Sequence, residues 1–140
     1  MIILDTDHLV EFEKGTSDAA ARLQIRLSAC ADEIVTTIVS VEEILRGWLA
    51  EIRRRNDPRL QIAAYSHLDR FIGFAAEWEV LPWNHSAVNQ FETLRIQRVR
   101  VATMDLKIAS IALSSGAKLI SLNLNDFQQI PGLDVEDWLS

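Results

Sequence analysis

An α/β fold, with helices covering both faces of a short, mainly parallel twisted sheet, is the class this sequence predicts. Three observations carry it. Short apolar or β-branched runs, such as Ile2-Ile3-Leu4, Ile34-Val35-Thr36-Thr37 and Leu119-Ile120, alternate with longer stretches of helical apolar spacing. The first run is wholly apolar and ends abruptly where Asp5 begins, as a buried strand must when a carboxylate emerges. The chain has 140 residues, which fits one domain (residues 1–140) able to bury roughly two thirds of its unfolded surface. The resulting architecture has three layers, α/β/α.

The elements follow in order. A first strand covers residues 2–4, and Asp7 with Thr6 caps a short helix that runs to Lys14 and stops at Gly15. A second helix opens at Ser17 or Asp18, carrying Ala20, Leu23, Leu27 and Cys30 on one stripe, and pairs with the first as a hairpin. Residues 33–38 are rich in β-branched side chains and form the second strand. Ser40 then caps a helix with Glu43 at its third position, as in a capping box; Ile44, Leu45, Trp48 and Ile52 continue the pattern until Asn56-Asp57-Pro58 closes it. Residues 59–76 again have helical spacing. A third strand at 78–81 ends at Pro82, and Ser86 caps a helix bearing Val88, Phe91, Leu94 and Ile96. From Met104 to Ser114 a nearly apolar helix carries only Asp105 and Lys107 as charges, and Gly116 ends it. A strand at 118–121, a loop from Leu122 to Gly132 and a last strand around Leu133 to Val135 complete the domain.

Composition narrows the function classes. With 49% hydrophobic and 24% charged residues the chain resembles neither disordered nor collagen-like sequences. The opening apolar run lacks a basic lead and breaks at Asp5, and no stretch approaches the roughly 20 apolar residues of a membrane span. A cytoplasmic protein with no membrane partner is expected. Cys30 is the only cysteine, so neither a disulfide nor a cysteine zinc site forms within one chain, and its place in an Ala-rich helical stretch suits small-residue packing. The net charge of −6 argues against a protein that coats nucleic acid non-specifically. It does not exclude a nuclease, whose acidic site needs cations before it can receive phosphate.

Several acids fall beyond the carboxyl ends of the strands, where parallel sheets place their ligands. Asp5 ends the first strand, Glu43 lies on the helix after the second, Asp105 opens a buried helix, and Asp126 follows the strand at 118–121. Each has a structural explanation as a cap, a first-turn acid or a loop acid. Together, with no lysine or arginine obviously assigned to them, they favour hard divalent cations such as Mg²⁺ or Mn²⁺.

The stretches ILDTD, SVEEILRG, TMDLKIASIAL and LISLNLNDFQQIPGLDVEDW, in that order, resemble the PIN-domain ribonucleases, specifically the VapC-like toxins of type II toxin-antitoxin systems. The resemblance covers essentially the whole chain. It implies a metal-binding acidic core on Asp5, Glu43 and Asp105, and endonucleolytic hydrolysis of RNA phosphodiester bonds with one or two Mg²⁺ or Mn²⁺ ions. Glu43 is selected over Glu42 because Gly47 stands four positions after it, as the family pattern asks. Many relatives carry a further Asp where this chain has Asn123, so Asn123 or Asp126 supplies the fourth ligand. Thr6 and Ser121, at strand ends beside acids, hold metal-bound waters or simply cap. The implied partners are an RNA substrate, a cognate antitoxin and a second copy of the chain in a homodimer. The alternatives are an RNA-processing PIN nuclease that is not a toxin, and a catalytically weak PIN-like binding module.

Positive charge to hold RNA is available on Arg46, Arg53, Arg54 and Arg55 and, near the second acidic cluster, on Arg95, Arg98, Arg100 and Lys107. Arg46 also stands three residues from Glu43, close enough on a helix to neutralise it. His8, His67 and His85 show no metal-ligand spacing, and Trp48, Trp78, Trp83 and Trp138 read as core or interface residues. The opening D-x-D also resembles haloacid-dehalogenase phosphatases. That family requires a positioned lysine and a later acidic pair after another strand; Lys118 precedes its strand instead of following it, and no Asp-Asp pair appears. Asp5 is thus the expected ligand, and Asp7 the cap.

Overall fold

The computed structural model describes residues 1–140. Five strands, β1 (Ile2–Leu4), β2 (Ile34–Thr37), β3 (Val80–Leu81), β4 (Lys118–Ile120) and β5 (Val135–Glu136), form one sheet in the order β3-β2-β1-β4-β5. Every pairing is parallel, with Ile3 opposite Val35 on one side and Leu119 on the other. The sheet is therefore wholly parallel where the sequence predicts mainly parallel. Seven helices connect the strands: α1 (Thr6–Lys14), α2 (Asp18–Ala29), α3 (Ile38–Arg54), α4 (Ile62–Ala76), α5 (His85–Ile96), α6 (Thr103–Ser115) and α7 (Leu124–Phe127).

Strand period divides the core between two layers. Ile3, Val35 and Leu119 point toward α6 and α5, packing with Ile108, Ile111 and Leu94. Ile2, Leu4 and Ile120 point the other way, onto Leu23 and Leu27 of α2 and onto Trp138. A smaller third cluster, Leu9, Ile44 and Phe71, binds α1 to α3 and α4. The three-layer arrangement follows directly.

Several predicted boundaries shift, each for a local reason. Asp5, not Asp7, caps α1, because a single residue separates strand from helix and its carboxylate accepts the Thr6 N–H. Thr37, not Ser40, caps α3: its hydroxyl accepts the Ser40 N–H at 3.1 Å, so the helix begins directly at the end of β2. Glu43 consequently lies in the second turn and closes no capping box. Asn84 replaces Ser86 as the cap of α5, accepting the Ala87 N–H. The stretch before α4 is a 3₁₀ turn, Pro58–Gln61, and the predicted loop after β4 contains α7, a single helical turn. Ser17 caps α2, and Gly15 and Gly116 end α1 and α6 in the left-handed conformation, as expected.

Candidate active site

The carboxyl ends of β1 and β4 meet the N-terminal turns of α1, α3 and α6 around an open hollow of about 430 Å³. Asp5, Thr6, Asp7, Glu43, Asp105, Leu122 and Asn123 line it. Leu122 is the one apolar member, so the hollow suits a charged or polar occupant.

Asp5 is fixed from both sides. Its backbone N–H continues the sheet by donating to Ile120 C=O at 2.9 Å, which holds the residue at the strand's end. The Thr6 N–H donates to Oδ1 at 2.7 Å and the Ser121 hydroxyl to Oδ2 at 2.7 Å, leaving the side chain 6% exposed. Thr6 in turn donates its hydroxyl to Glu43 Oε1 at 3.1 Å, orienting a carboxylate 37 residues away. Across the hollow, Asn123 Nδ2 donates to Asp105 Oδ2 and to Asp126 Oδ2, both at 3.0 Å. Ser121 Oγ accepts the Asn123 N–H at 3.0 Å, so one hydroxyl ties Asp5 and Asn123 together.

Burial is the largest cause that pushes the carboxyls of Asp5, Glu43 and Asp105 above their ordinary range. Repulsion adds to it: Asp105 and Asp7 act on Asp5, Asp5 and Asp105 on Glu43, and Asp126 and Asp7 on Asp105. None of the three is paired with a lysine or arginine. Arg46 does not neutralise Glu43 as its spacing suggests; it pairs with Glu42 at 2.6 Å. Arg54 and Arg55 are tied to Glu51, Arg95 to Glu92, and Lys107 sits 5.6 Å from the centre of the Trp83 ring.

The structure thus brings Asp5, Thr6, Glu43, Asp105 and Asn123 together and holds Ser121 behind Asp5. Asp126 stands behind Asn123 and contacts the site only through that amide. Asp7, expected as a cap, is instead an exposed wall of the hollow. Its D-x-D spacing from Asp5 was the available signal: with the strand ending at Leu4, the second acid lands in the first helical turn. His8 turns away from the site. It is fully buried, accepts the Trp138 N–H on Nε2 at 3.1 Å, and lies 3.5 Å from Asp137 Oδ1.

Hard oxygen donors in mutual repulsion, without an internal cation, are the donor set that fits Mg²⁺ or Mn²⁺. As they stand, no three of these acids close to the spacing of a metal cage. The set is convergent but open.

The family model for the PIN domain matches residues 2–133, and the chain belongs to that family. A curated relative, ribonuclease VapC1 of Rickettsia felis, is 44% identical over 138 residues, covering 96% of this chain and 93% of that protein. The tRNA(fMet)-specific endonuclease VapC of Salmonella typhimurium is 34% identical over 70 residues, a match spanning 47% of this chain and 53% of that one. Among solved structures, VapBC-1 of nontypeable Haemophilus influenzae superposes with a TM-score of 0.74 at 27% identity over 100% of both chains. The DNA-bound VapBC of Salmonella typhimurium does so with 0.76 at 23% identity, over 98% of this chain and 97% of that one. With these relatives the chain is a PIN-domain nuclease of the VapC type, a hydrolase.

Proposed function

We propose that RNA phosphodiester hydrolysis takes place in the hollow of Asp5, Glu43 and Asp105, and that it depends on one or two Mg²⁺ or Mn²⁺ ions held there. One observation carries this reading: three carboxylates share a hollow, each driven above its ordinary titration range first by burial and then by neighbouring acids, and no basic side chain offsets them. A bound divalent ion supplies polarisation of the phosphoryl group and acidification of water. The chain's own groups do the positioning. Ser121 and the Thr6 backbone fix Asp5, the Thr6 hydroxyl aims Glu43, and Asn123 holds Asp105 while offering its carbonyl oxygen as a further neutral ligand. Asp126 acts through Asn123. Arg46, Arg98 and Lys107 are the candidates for RNA contact.

The chain acts in the cytoplasm, where a cognate antitoxin restrains it, and it pairs with a second copy. The VapBC complexes it resembles support the antitoxin partner, and no helix is long and apolar enough to cross a membrane. The test is incubation of purified protein with bulk RNA and Mg²⁺ or Mn²⁺ beside Asp5→Asn. Wild type cleaves and the variant loses at least about a hundredfold, on the scale of two lost factors of ten at 1.36 kcal/mol each. Equal behaviour of the two under every metal condition contradicts the reading. Induced expression that leaves growth unaffected would count against the toxin role alone.

A further inference from the structure

The hollow that receives RNA in the reading above is itself polyanionic, in a chain of net charge −6. A strand of phosphates needs cationic grips close by. The connection from α5 to α6, residues 97–102, leads directly into the turn that carries Asp105. It contains Arg98 and Arg100, and the sequence has no acid from Thr93 to Met104.

Two features mark this connection. The first is backbone strain. The Arg98 N–H donates to Arg95 C=O at 3.0 Å and the Val99 N–H to Leu94 C=O at 3.3 Å, the paired bonds of a Schellman helix end. That motif requires a left-handed residue after the helix, and here it is Arg98, at φ 56°. Every other positive φ in the chain belongs to a glycine, including Gly15 and Gly116 at the ends of α1 and α6. An arginine in that position is strained, and such strain persists where something other than the fold selects the side chain. The second feature is presentation. Val99 and Val101 pack on the main core, while Arg98 and Arg100 alternate with them and are exposed, and neither is paired with a carboxylate.

We infer that Arg98 and Arg100 form a phosphate rail, gripping the backbone of the RNA strand that flanks the bond being cut. Five residues separate Arg100 from Asp105, so their Cα atoms lie within about 18 Å, a reach of a few nucleotides. The two arginines are positioning residues: they hold the polyanion against a site that repels it. This inference rests on the nuclease reading of the preceding subsection. An acidic protein segment would satisfy the same guanidiniums; the five-residue link from Arg100 to Asp105 favours the strand being cut, and the salt dependence measured below separates the two.

The test uses the full chain and a labelled single-stranded RNA, with binding followed by fluorescence anisotropy in EDTA across a range of KCl concentrations. Each phosphate contact on a single strand contributes about 0.7 to the slope of log K against log salt. Replacing both residues with alanine lowers that slope by about 1.4, and the double Lys variant restores it. Arg98→Gly, which relieves the backbone, keeps or raises the melting temperature yet loses about 0.7 of the slope. An unchanged slope in the alanine pair overturns the inference, whether or not the loop then proves to bind a protein. So does an Arg98→Gly variant that melts below wild type, because the arginine would then serve the fold. Cleavage with Mg²⁺ in the same preparations separates the two levels: a wild type that cleaves while the slopes stay equal rejects the rail alone. A wild type that does not cleave rejects the nuclease reading beneath it.

Discussion

Asp5 serves two purposes with one carboxylate. Oδ1 caps α1 and Oδ2 takes the Ser121 hydroxyl, so the group presented to the hollow is locked by the elements that meet there. The sequence made Asp5 and Asp7 chemically equivalent as caps. Only the one-residue junction between β1 and α1 decides between them, and junction lengths are not encoded in periodicity. Asn123 is the complementary case. Its amide donates to both Asp105 and Asp126, standing where a cation or a proton would otherwise separate two acids. Asn123→Asp removes both donors and adds a charge. We expect the metal-free protein to melt about 2–4 °C lower for each kcal/mol of added repulsion, while Mn²⁺ binds roughly tenfold more tightly, the worth of about 1.4 kcal/mol. Calorimetric titration and thermal unfolding in EDTA check the pair of outcomes. A variant that melts higher and binds metal no better would contradict this account of the amide.

At the scale of elements, the existence and order of strands and helices were legible because buried parallel strands read as unbroken apolar runs and long helices repeat their stripe. Starts were less legible. The stretch Thr37-Ile38-Val39-Ser40 offers two capping hydroxyls three residues apart, and the first wins because β2 runs straight into α3; Ser40 is then wholly buried inside the first turn. α7, one turn long, carries no period to detect. Thr37→Ala should therefore cost about 1 kcal/mol, the ordinary worth of a cap, and Ser40→Ala less, measured by urea unfolding. A larger loss for Ser40→Ala would restore the predicted cap.

The C-terminal segment is held through His8, a contact spanning 130 residues that no local pattern could announce. Burial keeps the His8 pKa below its ordinary value, against the opposing pull of Asp137 and Asp7. The unfolded chain thus takes up this proton first on acidification, and stability falls as pH drops below the unfolded value of about 6.5. His8→Gln, whose amide oxygen can still accept the Trp138 N–H, should flatten that fall, which is at most about 1.4 kcal/mol per pH unit. Unfolding free energies at two pH values suffice; an equal slope in both proteins would sink the assignment.

Across the whole molecule, a five-stranded parallel sheet brings three acids from distant parts of the sequence to one edge. Their raised pKa values have the opposite pH sign to that of His8. The native state holds these protons more tightly than the unfolded chain, so metal-free stability falls as pH rises above the unfolded carboxylate values of about 4. The fold carries this cost at neutral pH, and the proposed divalent cation would relieve it. The acidic core was legible in the sequence because its members stand at the ends of predicted elements. The amide bridge of Asn123 was not, since it depends on how close α6 and β4 come together, and Asp7 left only its D-x-D spacing as a signal.

On the proposed reading, a divalent ion resolves the repulsion that burdens Asp5, Glu43 and Asp105. Thermal unfolding at pH 7 during a Mn²⁺ titration, comparing wild type with Asp105→Asn, is the decisive measurement. Wild type should start lower in EDTA and climb with added ion, gaining about 2.7 kcal/mol at a hundred times the dissociation constant. Asp105→Asn should start a few degrees higher and gain little. Equal melting temperatures in EDTA with equal gains on Mn²⁺ would contradict the account.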